Sequence, residues 1–215
     1  VTHDLSPLID PRLKVWPGDT PPGREVLCDI GRGDNITLST IRATVHLGSH
    51  VDGPNHYSAG APGVDAWPLD RFWGPCLVVD APAPRRPGGA RLREADLRTP
   101  LAALRHARVL LRTGTFPDPT VFNEDFAGLD PALVDAMAAR GVQLLGVDTP
   151  SVDTFDSKDL PAHGACLRHN IAILEGLVLR DVPPGEYELC ALPLKLAGFD
   201  ASPVRAALRP LARGA

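Results

Sequence analysis

The sequence predicts an α/β fold in one domain spanning residues 1–215, and three observations carry that expectation. Apolar runs of strand length recur, at Pro75–Asp80, Arg108–Thr113 and Val142–Val147 among others. A helix signal leads directly into a strand signal. Asp130-Pro131 reads as an N-cap with Pro at the first helical position, the helix runs to Arg140, and Gly141 ends it before Val142. Helix feeding strand in this way is the pattern of α/β architecture. The 215 residues are enough for one domain with a proper core, and no repeat or boundary divides them.

Composition narrows the function classes. Apolar residues make up 44% and charged residues 22%, which places the chain among soluble globular proteins. A net charge of −4 leaves no basic footprint, so no nucleic-acid partner is expected. No apolar run reaches membrane length and no signal-peptide pattern opens the chain, so no membrane partner is expected either. Cys28, Cys76, Cys166 and Cys190 form no CxxC pair; reduced, mostly buried thiols in a cytoplasmic protein are the expectation.

Taken in order, Thr2–Pro22 holds Pro7, Pro11, Pro17, Pro21 and Pro22 and cannot be a long helix. Leu5, Leu8 and Ile9 support a short strand there. Trp16 stands in a turn-rich loop, where core packing is the default role for its ring and an exposed residue or a ligand wall the alternatives.

From Ile41 to Asp52 the chain alternates. Ile41, Ala43, Val45, Leu47, Ser49 and Val51, mostly apolar, fall on one side, and Arg42, Thr44, His46, Gly48, His50 and Asp52, polar or bare, on the other. Period two predicts a strand whose polar face carries His46, His50 and Asp52 in a row, a set able to bind a divalent metal. Gly48 between the histidines leaves room on that face for an ion. Gly53-Pro54 ends the strand and His56 follows the turn. With only 7 histidines in the chain, three of them plus an aspartate within this stretch favour a metal site over a merely polar strand face. A zincin helix is disfavoured by Gly48, Gly53 and Pro54, and no Glu follows His46.

Downstream, Ala59–Gly63 reads as loop and Trp67–Trp73 as a short helical turn. Ala81–Ala90 is a Pro/Gly/Arg loop, and Leu92–Leu104 has helical spacing broken at Pro100. Asp148–Asp153 is a polar cluster at a strand end, either a capped turn or part of a site. Pro161–His169 fits a helix. Ile171–Leu179 is an apolar strand interrupted by Glu175 and Gly176; a Glu there is costly unless paired or ligating, and His163 is a possible companion. Cys190–Leu196 reads as a last strand, and the tail from Ala201 as surface helix or frayed end.

The stretch His46-Leu-Gly-Ser-His50-Val-Asp52-Gly-Pro-Asn-His56 closely resembles the His-x-Gly-Thr-His-x-Asp-x-Pro-x-His motif of the cyclase family of metal-dependent hydrolases, with Ser49 where Thr is usual. Val15–Pro21 and Gly146–Asp153, followed by Asp156-Ser-Lys158, are similar to the bacterial kynurenine formamidase (arylformamidase) branch. The resemblance runs from about Thr2 to about Leu194. It implies a mixed, barrel-like β core with flanking helices, a homodimer, and hydrolysis of N-formyl-L-kynurenine. It further implies that His46, His50 and Asp52 hold one metal and that Asp52 bridges to a second held by His163 and Glu175. His56 would be the acid/base residue and Trp16 would line the substrate pocket. Two divalent ions per chain are expected, zinc first, with manganese or cobalt compatible with such ligands. No Gly-x-Ser-x-Gly elbow offers a serine route to the same reaction. The alternatives are an isatin hydrolase-like opening of a cyclic amide on the same scaffold, and a non-catalytic metal-dependent binding protein.

Overall fold

A computed structural model describes residues 1–211. Along its central strands, apolar side chains alternate between two cores, so the sheet is buried on both faces. The strands are β1 (His3–Asp4), β2 (Gly23–Cys28), β3 (Leu38–Arg42), β4 (His50–Asp52), β5 (Trp73–Asp80), β6 (Arg91–Leu92), β7 (Arg108–Arg112), β8 (Gly128–Leu129), β9 (Leu144–Val147), β10 (Ala172–Glu175), β11 (Gly185–Cys190), β12 (Ala201–Pro203) and β13 (Ala207–Pro210). The α-helices are α1 (Pro131–Ala138) and α2 (Pro161–Arg168).

Nine strands form one mixed sheet in the order β1-β13-β11-β5-β7-β9-β10-β4-β12. The middle, β5-β7-β9-β10, is parallel, and the strands on either side run antiparallel. Val109 and Leu111 of β7, Leu145 and Val147 of β9 and Ile173 of β10 face a core closed by Leu133, Val134 and Met137 of α1 and Ala162, Ala165 and Cys166 of α2. Leu110, Leu144, Ala172 and Leu174 face the opposite core with Leu5, Val51, Phe72, Leu189 and Leu208. Each such Leu removed from water stabilises the fold by roughly 1.5–3 kcal/mol. The sheet curls as a half-barrel with two helices, the α/β architecture expected.

Strands β5, β7 and β9 and helix α1 lie where the sequence places them, give or take two residues. Asp130 caps α1 by accepting from Ala132 N at 3.0 Å, ahead of Pro131. Several expectations need correction. Leu92–Leu104 is not a helix but two 3₁₀ turns, Glu94–Asp96 and Leu101–Ala103. Leu92, Leu97, Leu101 and Leu104 are buried as the spacing suggested, but Pro100 splits the segment and Arg98 N bonds to Asp80 O at 2.8 Å. The last strand before residue 196 is Gly185–Cys190, where Tyr187 and Leu189 turn inward, alternating with Glu186 and Glu188; Ala191–Leu196 lies outside it. The tail from Ala201 is neither helix nor frayed end: β12 extends the β4 edge, and β13 inserts between β1 and β11. Its residues 212–215 lie outside the described residues. The opening strand covers only His3–Asp4, and Leu8 is exposed.

The largest correction concerns Ile41–Asp52. Leu38–Arg42 pairs with β2 as a separate hairpin, Ala43–Ser49 is irregular, and only His50–Asp52 joins the main sheet. The break falls at Gly48, whose φ of +57° is a left-handed conformation that favours glycine. Nor does Gly48 leave room for an ion: a Cβ there would meet Pro7 Cγ at 2.9 Å. Gly176 is tighter still. Its φ is +67°, and a Cβ would come within 2.1 Å of Gly48 O, the same carbonyl that accepts from His50 Nδ1 at 2.9 Å. Gly176→Ala should therefore displace His50, lowering both metal affinity and the melting temperature. Calorimetry with a metal titration checks this, and a variant matching wild type in both would show the contact to be unimportant.

Among the described residues, no helix is long and apolar enough to cross a membrane. All four cysteines are free; Cys76 and Cys166 are buried, Cys28 and Cys190 half-buried.

Candidate metal centre

The site begins with three residues of true alternation. Val51 enters the second core, so His50 and Asp52 point to the opposite face of β4. Antiparallel pairing sets Glu175 of β10 directly across from His50. Helix α2 covers this face and presents His163 from its first turn. His46 arrives by the Gly48 turn rather than along the strand.

The donor atoms converge on Asp52. Its Oδ1 lies 3.4 Å from His46 Nδ1 and 3.5 Å from His50 Nε2, and its Oδ2 lies 3.5 Å from His163 Nε2. Glu175 Oε2 is 3.3 Å from His50 Nε2, and its Oε1 is 3.7 Å from His163 Nε2. All of these exceed the usual hydrogen-bond range of about 2.7–3.2 Å. Two donors about 2.1 Å from one tetrahedral ion stand about 3.4 Å apart. His50 Nε2 and both oxygens of Asp52 are buried without any hydrogen-bond partner. A buried carboxylate left so is costly, and bound cations relieve the cost. The donor set therefore fits divalent metal, and His46, His50 and Asp52 form a three-ligand cluster.

Each imidazole is held from behind, as metal-binding histidines are. His50 Nδ1–H donates to Gly48 O at 2.9 Å. His163 Nδ1–H donates to Asp153 Oδ2 at 2.8 Å. Asp153 also accepts from Ala162 N and His163 N, each at 3.1 Å, capping α2 where Leu160, in a left-handed conformation, has no capping side chain. Arg91 pairs with the other Asp153 oxygen at 3.0 Å. Val152 N donates to Glu175 Oε1 at 2.7 Å. His46 Nε2–H donates to Asp200 Oδ2 at 3.0 Å.

His56 lies on the 3₁₀ turn Pro54–His56, outside the β4 row. Its ring centroid is 4.2 Å from that of His46, and Nδ1 is 3.8 Å from Asp200 Oδ2. It is exposed where the four histidine and carboxylate partners on the strands and α2 are buried. A donor atom of His56 also falls within 4.8 Å of donors on Asp52 and His163, so distance alone leaves it open as a ligand. Trp16 is not core. It is 37% exposed and lines a cavity of about 1110 Å³ that also reaches His46, His50, His56, His163 and Glu175. Its ring packs 5.0 Å from Phe155 and 5.7 Å from Phe122.

Burial pulls the His46 and His163 pKa values down, but neighbouring carboxylates outweigh it. Asp52 and Asp200 raise His46 to about 9, and Asp153 and Asp52 raise His163 to about 10. Burial pushes the Asp52 carboxyl up, yet His163 and His46 hold it well below the usual range. Burial lowers His56. In the metal-free protein, protons thus supply the positive charge that bound ions would replace. Metal loading near pH 7.5 should release about two protons per chain, and affinity should climb with pH toward 9–10. The same groups set the stability of the metal-free form. Their folded pKa values lie above the ordinary 6.5, so the stabilisation is full below that pH and is lost as pH rises through about 9 and about 10. Titration calorimetry in buffers of differing ionisation enthalpy reads the protons. Loading without proton release would contradict the charged histidines.

Sequence reading missed Asp200, which lies in the loop before β12 and carries no motif. Asp153 was visible as part of a polar cluster, without its role. Asp148, in the same cluster, ties the ends of β7 and β9 together: it accepts from Thr113 N, Thr113 Oγ1 and Gly114 N at 2.6–3.0 Å, and burial raises its pKa.

The family described as Putative cyclase matches residues 3–154. Among solved structures, a potential metal-dependent hydrolase with cyclase activity is 26% identical with a TM-score of 0.81, over 97% of this chain and 96% of that one. A predicted metal-dependent hydrolase from Bacillus stearothermophilus is also 26% identical, with a TM-score of 0.78 and 97% of both chains covered. Isatin hydrolase A from Labrenzia aggregata, bound to benzyl benzoate, shares the fold at 22% identity, with a TM-score of 0.81 over 99% of this chain and 94% of that one. With the family match over most of its length and a buried His/Asp cluster suited to metal, this chain belongs to the cyclase family of metal-dependent hydrolases.

Proposed function

We propose that this protein hydrolyses N-formyl-L-kynurenine to L-kynurenine and formate, using two divalent ions, zinc first. The observation that supports this most is the meeting of His46, His50, His163, Glu175 and His56 at a cavity walled by Trp16, with Asp52 buried behind them at their centre. His46, His50 and Asp52 would hold one ion, and Asp52, His163 and Glu175 would hold the other. When bound, the ions supply a lowered water pKa and charge stabilisation at the formyl oxygen. An arylamine cannot leave as an anion, so a proton must reach its nitrogen as the C–N bond breaks. His56, beside the ligands, takes a proton from the attacking water as it adds to the formyl carbon and passes it to that nitrogen as the C–N bond breaks. Trp16 stacks on the aminobenzoyl ring. Lys14, Arg112 and Arg180 line the same cavity, a setting that suits the charged amino-acid end of this substrate.

A second reading, opening of a cyclic amide such as isatin, draws support from the isatin hydrolases that share this fold. Turnover of N-formyl-L-kynurenine and of isatin, before and after chelation and metal return, separates the two. Metal-dependent turnover of the formamide, well above that of isatin, is expected. Metal binding without turnover of either substrate would leave a binding protein.

The proposal includes a homodimer. Its support is the β2–β3 hairpin, whose strands pair only with each other. Leu27, Ile30, Ile36, Leu38 and Ile41 are exposed on this arm, and a lone two-stranded hairpin is marginal in water. Leu38→Glu with Ile41→Glu should shift the protein toward monomer in sedimentation velocity. A dimer indifferent to both charges would remove the hairpin from the interface.

A further inference from the structure

Each of the three imidazoles facing Asp52 has one ring nitrogen tied to an acceptor. For His50 and His163 the tied nitrogen is Nδ1, held by Gly48 O and Asp153. His46 is reversed: its Nδ1 faces Asp52 at 3.4 Å and its Nε2 is held by Asp200 at 3.0 Å. The same Asp200 oxygen lies 3.8 Å from His56 Nδ1. Asp200 is itself anchored by backbone, since Gly53 N donates to Asp200 O at 2.8 Å and the next residue, Ala201, pairs with Asp52.

We propose that Asp200 is a positioning residue: its carboxylate sets His46 with Nδ1 toward Asp52 and holds His56 beside the ligands rather than among them. This rests on the reading of His46 as a ligand. Without an acceptor at Nε2, the His46 ring is free to turn or to carry its proton on Nδ1, which removes that nitrogen as a donor to metal. Donor atoms of His46, His56 and Asp200 do lie within 4.8 Å of one another, but the geometry favours positioning over ligation for Asp200. Asp200 contacts the nitrogen of His46 that does not face Asp52, and its side chain is 48% exposed, against 18% for His46 and 4% or less for His50, Asp52, His163 and Glu175.

The test titrates Co²⁺ into the metal-free full chain and follows the visible spectrum in wild type, Asp200→Ala, Asp200→Asn and His46→Ala. Asp200→Ala should bind Co²⁺ about 10–100-fold more weakly, with a shifted band. Asp200→Asn should recover most of the affinity, because its amide oxygen still accepts from Nε2–H. Metal-free melting temperatures should fall only slightly, since the half-exposed His46–Asp200 pair is lost but the backbone bond to Gly53 is untouched. Wild-type affinity and spectrum in Asp200→Ala would overturn the proposal. So would an Asp200→Asn as weak as Asp200→Ala, which would make Asp200 a ligand, or a collapse of both metal-free folds, which would make it structural. His46→Ala separates the levels. If it binds Co²⁺ as wild type does, the ligand reading fails; if it loses Co²⁺ while Asp200→Ala does not, only the positioning role fails.

Discussion

His56→Ala keeps its metal and its fold and loses about 10²–10⁴-fold in kcat, the usual worth of one acid/base group. The expectation follows from where the ring sits. It is on a 3₁₀ turn after Gly53, reaches the same cavity as the ligands, and remains 37% exposed. A group that must pick up and release a proton needs that access, and a nitrogen bound to metal could not provide it. Burial also lowers its pKa, which favours the neutral form at physiological pH as a base for the attacking water. The loss should be smaller for a formanilide whose ring withdraws electrons strongly, because its amine departs with less help. The comparison is kcat on both substrates in wild type and variant, with metal counted on the same samples. A variant that arrives short of metal would make His56 a ligand. Equal losses on both substrates would leave it a base or a water-orienting group, but not the proton donor.

Asp52→Ala has the larger effect on the cofactor: it should lose both ions and all measurable activity. Both of its oxygens are buried and unpartnered, one facing His46 and His50 and the other facing His163. Glu175 also reaches both halves, with Oε2 3.3 Å from His50 Nε2 and Oε1 3.7 Å from His163 Nε2, but its Oε1 already accepts from Val152 N, whereas neither oxygen of Asp52 has a hydrogen-bond partner. Glu175→Ala, by contrast, should chiefly weaken the ion next to His163. The metal-free Asp52→Ala protein should also titrate differently, since the carboxylate that helps raise His46 and His163 is gone. Elemental analysis of both variants checks the contrast. Full occupancy in Asp52→Ala would refute the bridging role.

How much of this was legible in the sequence depends on how local each cause is. Asp130-Pro131 and the strand Leu144–Val147 are specified by neighbouring residues, and they stand where the sequence puts them. The row His50-Val51-Asp52 obeys alternation because it is a strand paired on both sides. His46 joins the site for a different reason than alternation. The chain reverses at Gly48, and period two cannot distinguish a strand from a turn that happens to return a side chain to the same place. Glu175 was legible as a carboxylate in an apolar run, which only a paired or ligating role tolerates. Its partner His50 comes from antiparallel register, which the sequence does not display. Asp153 looked like turn chemistry because it is turn chemistry as well: one carboxylate caps α2 and holds His163. Asp200 left no trace, since its role comes from β12 docking on the edge of β4 late in the chain. The tail misled for a related reason: β12 and β13 are short and contain Pro203 and Pro210, so no periodic run announces them.

The central claim is that two ions on the Asp52 cluster drive formamide hydrolysis. The most direct measurement is turnover of N-formyl-L-kynurenine by chelated protein as zinc is returned stepwise, with bound metal counted at each step. The account predicts no turnover without metal and a rate that rises to its maximum near two ions per chain. A rate indifferent to chelation, or absent at full loading, would contradict it.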